Sequence, residues 1–106
     1  MARRSVRVPR EALGALGPVR VERVAKIPGV KMESAYGDYS WSKQRIRILR
    51  ELQGLVAVQA YRHEWTHMIL ADAGLTGLIS DELEEVICDA VANGLIREAR
   101  ASRDGR

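Results

Sequence analysis

The stretch Gln53–Ala73, QGLVAVQAYRHEWTHMILADA, decides how the rest of the chain is read. Leu55, Val56, Val58, Ala60, Trp65, Ile69 and Leu70 fall on more than one side of a helical wheel, the pattern of a helix buried between other elements. Gly74 follows as a C-terminal cap. Inside the stretch, His63 and His67 stand four residues apart. Four residues carry a helix about 40° past one full turn and about 6 Å along its axis. Both imidazoles therefore leave one face, and they can share a metal ion. Glu64 directly follows the first histidine and points beside the pair, in reach of a water at the metal without ligating it. The spacing supplies two ligands and one base. Trp65 carries no chemistry there and reads as a packing residue.

Zinc suits this donor set, and a catalytic zinc site takes three protein ligands. The chain has two histidines and one cysteine, Cys88, so the third ligand is sought among the downstream acids. Ser80 is a helix N-cap, and Asp81, Glu82, Glu84 and Glu85 complement the helix dipole behind it. Leu83, Val86, Ile87, Ala90, Val91, Gly94 and Leu95 recur at helical spacing and are expected to form a core stripe. Glu85 and Asp89, at i and i+4, share a face on its flank. Glu85 is assigned as third ligand, with Glu84 or Glu82 as alternatives. Asp89 is placed to accept the second ring N–H of a ligand histidine. Cys88 reads as a small core residue rather than a ligand.

Upstream, residues 1–9 read as a loose arm, and residues 102–106 as a loose end. Arg10–Leu16 is expected to be a short helix closed by Gly17-Pro18. Val19–Glu22 alternates as a strand, and Pro28-Gly29 marks a turn. Residues 30–49 read as a hairpin, with Val30–Tyr36 as one arm and Arg45–Ile48 as the returning arm. The expected architecture is one α+β domain over residues 1–106, a three-stranded sheet followed by two helices. Tyr39 and Trp41 either line a cleft or cover the sheet.

Composition bounds the remaining classes. Apolar residues make up 46% and charged residues 29% of the chain, a globular balance. A single cysteine excludes an intrachain disulfide and suits a reducing compartment. No apolar run approaches a membrane span, and no signal-peptide segment follows the basic start, so the cytoplasm is expected. Net charge is +3, with arginines gathered at both ends. These read as solvated termini rather than a nucleic-acid surface, because no base-stacking aromatics accompany them.

The pair His63-Glu64-Trp65-Thr66-His67 and Glu85-Val86-Ile87-Cys88-Asp89 resembles the gluzincin pattern, HExxH followed by ExxxD on a downstream glutamate helix. Glu85–Leu95 is similar to the glutamate helix of the repressor-cleaving ImmA/IrrE peptidases, with Cys88 at a position those proteins fill with a small residue. The short chain resembles the minigluzincins, single-domain prokaryotic and prophage peptidases. The resemblance covers about residues 30–96. It implies a minimal zincin-like fold and a Zn2+-dependent metallopeptidase acting on a peptide or protein substrate. It also implies zinc ligands at His63, His67 and Glu85, a general base at Glu64 and an orienting role for Asp89. One departure is that no third histidine is present to stabilise an oxyanion, leaving Tyr36, Tyr39 and the hairpin arginines as donors. The alternative expectation is a weak or latent zinc-stabilised interaction module of phage origin.

Overall fold

A computed structural model describes residues 7–27 and 36–103. Its elements are β1 (Glu11–Gly14), β2 (Gly17–Val24), β3 (Gly37–Ser40), β4 (Arg45–Leu49), α1 (Gly54–Asp72) and α2 (Asp81–Arg103). They form an α+β fold with a four-stranded mixed sheet, one strand more than expected.

The extra strand is β1, in the segment read as a short helix. It pairs antiparallel with β2, with Ala12 opposite Val19 and Gly14 opposite Gly17. Two causes override the helical look of Glu11-Ala12-Leu13. Seven residues are too few to sustain an isolated helix. Pairing also places Ala12 and Val19 in the core, both buried. Gly17 closes the turn at φ +120°, which a side chain would resist. The Ala15 N–H donates to Asp72 Oδ2 at 2.9 Å, tying this turn to the end of α1.

The sheet order is β1-β2-β4-β3, with β2 and β4 parallel and the outer pairs antiparallel. The returning hairpin arm is β4, as the alternation predicts. The first arm is β3, beginning at Gly37. The expected arm over 30–36 and the Pro28-Gly29 turn lie outside the described residues, except for Tyr36, which precedes the strand. Ile46 and Ile48 are fully buried, while Arg45 and Arg47 lie on the opposite face. There Arg47 grips Asp38 across the strand pair through both carboxylate oxygens, Nε to Oδ1 at 2.9 Å.

α1 lies on the inner face of the sheet. Tyr61 and Met68 join Ala12, Val19, Ile46 and Ile48 in one core, and Val8 and Trp65 pack against it. Val8 is therefore no part of a loose arm. The helix ends in a Schellman motif: Leu75 N–H donates to Leu70 C=O and Gly74 N–H to Ala71 C=O, with Gly74 at φ +77°. α2 starts where Ser80 Oγ accepts the Leu83 N–H at 3.1 Å, the expected cap. The short connection returns α2 antiparallel to α1. Ser102 and Arg103 still belong to α2, so the helix runs further than expected; residues 104–106 lie outside the described residues.

The expected core stripe of α2 is corrected. Its buried positions are Glu84, Cys88, Ala92 and Ile96, while Leu83, Val86 and Leu95 are exposed. The reason is the histidine pair: the helix turns its acids toward α1, and that rotation swings the apolar stripe outward. Among the described residues, no helix is long and apolar enough to cross a membrane.

Candidate metal centre

The histidines project from α1 toward α2, one turn apart, with ring centroids 5.0 Å from each other. The cross-helix pairs step along the two axes in opposite directions. Gln59 meets Asn93, His63 meets Asp89, and His67 meets Glu84. His63 Nδ1 lies 2.8 Å from Asp89 Oδ1, and His67 Nδ1 lies 2.5 Å from Glu84 Oε2. The two Nε2 atoms converge on one carboxylate: His63 Nε2 is 2.9 Å from Glu85 Oε1, and His67 Nε2 is 3.0 Å from Glu85 Oε2.

A neutral imidazole donates from only one nitrogen. If both Nδ1–H groups donate to Asp89 and Glu84, both Nε2 lone pairs face the oxygens of Glu85. Acceptors facing acceptors at these distances call for positive charge between them, supplied by a second proton on each ring or by a metal ion. A metal ion meets that need, since two ligands each about 2.1 Å from a zinc ion sit about 3.4 Å apart in a tetrahedral shell. The observed spacings are a few tenths of an ångström shorter. The donor set therefore fits a metal, with carboxylates behind both rings to fix the tautomers.

His63, His67 and Cys88 also form a group that can hold a metal ion, with one ligand atom from each within 4.8 Å of the others. Cys88 and Glu85 are thus rival third ligands. Cys88 is fully buried, and burial, then the acids Glu85, Glu84, Glu64 and Asp89, push its thiol up to about 12. Glu85 is exposed on the cleft side and touches both Nε2 atoms, while Cys88 completes the group whose ligand atoms lie within 4.8 Å of one another.

Glu64 leaves α1 toward the sheet rather than toward α2 and is buried. Burial, then the neighbouring charges of Glu85 and Asp38, push its carboxyl up to about 8. Its neighbour on β3 is Gly37, where an added Cβ would stand 2.6 Å from Arg47 C=O and 3.2 Å from Glu64 Cγ. Only glycine lets the strand approach Glu64 this closely. A cleft of about 610 Å3 opens over these groups, lined by Tyr36, Gly37, His63, Glu64, His67 and Glu85 among others. A smaller hollow of about 310 Å3 lies on the other side of His67, against Tyr39, Trp41 and Thr76. Tyr39 thus does both things open to it, packing on the core and lining a hollow.

All five expected site residues come together. Glu84, an alternative ligand in the sequence, joins them as a sixth through its contact with His67 Nδ1. The signal for it was available: histidines one turn apart need acceptors about one turn apart on an antiparallel helix. Gly37 carried no such signal, because its role depends on sheet order. No protein-family model matches this chain, and neither a curated protein nor a solved structure matches it.

Proposed function

We propose that this chain is a zinc-dependent metallopeptidase of minimal zincin-like build, with His63, His67 and Glu85 as ligands and Glu64 as general base. Asp89 and Glu84 orient the histidines. The observation that carries the reading is the convergence of both Nε2 atoms on the Glu85 carboxylate, with Glu64 opening into the same cleft. Zinc bound there supplies Lewis acidity, polarising a scissile carbonyl and bringing the pKa of a water toward neutrality. Glu64, at the cleft, would take a proton from a water placed there and pass it to the leaving amine. Burial leaves the Glu64 carboxyl protonated at neutral pH in the metal-free protein, and a neighbouring cation would lower that affinity and free it to act as a base.

The sheet edge supports a peptide as substrate. β3 is an edge strand, and its register gives Tyr36, Asp38 and Ser40 the ladder bonds to β4. The N–H and C=O groups of Gly37 and Tyr39 then point to the open edge. An extended chain pairing there runs past Glu64. Arg47 is occupied by Asp38, which leaves Tyr36, half exposed in the cleft, as the better-placed oxyanion donor.

The test is cleavage of a peptide library by zinc-loaded protein and by Glu64→Gln. The proposal expects the variant to hold one zinc and lose about 100-fold or more in turnover. Glu85→Gln should lose the metal, while Cys88→Ala should keep it. Equal activity in the Glu64 variant would sink the mechanism. Full zinc occupancy without cleavage by either protein would favour the interaction module, which the absence of a third histidine also favours.

A further inference from the structure

The outward arc of α2 is apolar from Leu83 to Ala90, carries Arg97 nearer its C-terminal end, and has no partner among the described residues. Leu83 and Val86 are 47% and 62% exposed, Ala90 is exposed one turn on, and Ile87 and Gly94 beside them are half-buried. This arc turns away from the buried line Glu84, Cys88, Ala92 and Ile96. Charge is uneven along the same helix, with four acids in its first five residues and Arg97, Glu98 and Arg100 near its end. Glu82 and Arg100 are both exposed and eighteen residues apart, which is five turns at 3.6 residues per turn. They lie on one line bordering the apolar arc, at opposite ends.

We infer that this arc is the interface of a two-fold dimer of this chain, in which α2 packs antiparallel against the same helix of a second copy. A two-fold axis sets one flank of the helix against the same flank reversed. Glu82 then meets the partner's Arg100, and Arg100 meets the partner's Glu82. A parallel pairing would instead set acid against acid. The midpoint between Glu82 and Arg100 falls beside Ala90 and Gly94, the small residues that let two helix axes approach closely. A helix of 23 residues spans about 34 Å, so a strip about 10 Å wide covers on the order of 350 Å2 per copy. That is below the roughly 800 Å2 per partner of a standard interface, so the dimer is weak and depends on concentration. This inference does not rest on the metallopeptidase reading.

Sedimentation equilibrium of the full zinc-loaded chain, from micromolar to millimolar concentration, tests it. Wild type should shift from monomer to dimer across that range, and Ala90→Asp, which sets like charges together beside the two-fold axis, should remain monomeric. Glu82→Arg and Arg100→Glu each create two like-charge contacts per dimer and should weaken association about tenfold. Mixing the two variants in equal amounts restores an opposite-charge contact at both ends, so the mixture should associate about as wild type does. A wild type that stays monomeric at every concentration overturns the proposal. So does a dimer that both single variants leave unchanged, or a mixture that fails to recover.

Discussion

The two sides of α1 are built from different chemistry. Toward the sheet it presents Tyr61 and Met68 to Ala12, Val19, Ile46 and Ile48, all apolar contacts. Toward α2 it presents His63 and His67 to Glu84, Glu85 and Asp89. Burial of apolar area holds the first interface and works in any buffer. The second sets two imidazoles against three carboxylates beside the buried Cys88, Ala92 and Ile96, and a cation held at the histidines would strengthen it. The chain therefore contains one layer held by apolar burial and one, the conditional layer, whose polar contacts a bound cation would reinforce.

The largest expected effect separates these layers directly. Zinc at about a thousand times its Kd should stabilise the protein by about 4 kcal/mol. Hydrogen exchange should show the added protection concentrated in α2 and the facing side of α1, with β2 and β4 little changed. Uniform protection across sheet and helices would break the division. Next in size is Met68→Ala, which empties space in the apolar layer. It should cost about 3 kcal/mol by urea unfolding, in zinc-free and zinc-loaded protein alike. Zinc affinity should move little, since Met68 faces the sheet.

The same division explains what was legible in the sequence. The HExxH spacing is local, so one helix fixes two ligands and a base without knowledge of the fold. Glu85 and Asp89 were legible for the same reason, as one face of one helix. The parts that failed are non-local. β1 looked helical because Glu11, Ala12 and Leu13 favour helices locally, while its strand state comes from pairing with β2 and burial of Ala12. The apolar stripe of α2 was visible, but its direction was not. Periodicity says that a stripe exists; the histidines on the neighbouring helix decide which face turns inward.

Glu64 is the buried carboxyl on the sheet side of α1 and sharpens the comparison through pH. In the metal-free protein its carboxyl is pushed from 4.5 up to about 8, chiefly by burial. Between those values the folded state holds a proton that the unfolded chain has released. Stability from this group is therefore complete below about pH 4.5 and is lost as pH rises toward 8. The slope is at most about 1.4 kcal/mol per pH unit. Urea midpoints of metal-free wild type should fall relative to Glu64→Gln across this window, a comparison that cancels the histidines common to both. Parallel pH profiles would show that Glu64 is not held in a desolvated site.

The smallest expected effects lie within the conditional layer, where the two histidine acceptors differ in exposure. The Glu84 side chain is 11% exposed, against 67% for Asp89. Removing an acceptor behind a metal-bound histidine costs about 10- to 100-fold in metal affinity. Water screens Asp89 and replaces part of what its loss removes, whereas nothing replaces Glu84. Asp89→Asn should therefore weaken zinc by about tenfold and Glu84→Gln by nearer a hundredfold, measured by competition with a chromogenic chelator. Both amides keep an acceptor oxygen, so what is tested is the charge behind the ring. If Asp89→Asn costs as much as Glu84→Gln, burial does not set the strength of these pairs. The conditional layer would then depend on the hydrogen bonds alone, and its sensitivity to salt should be equally small at both ends.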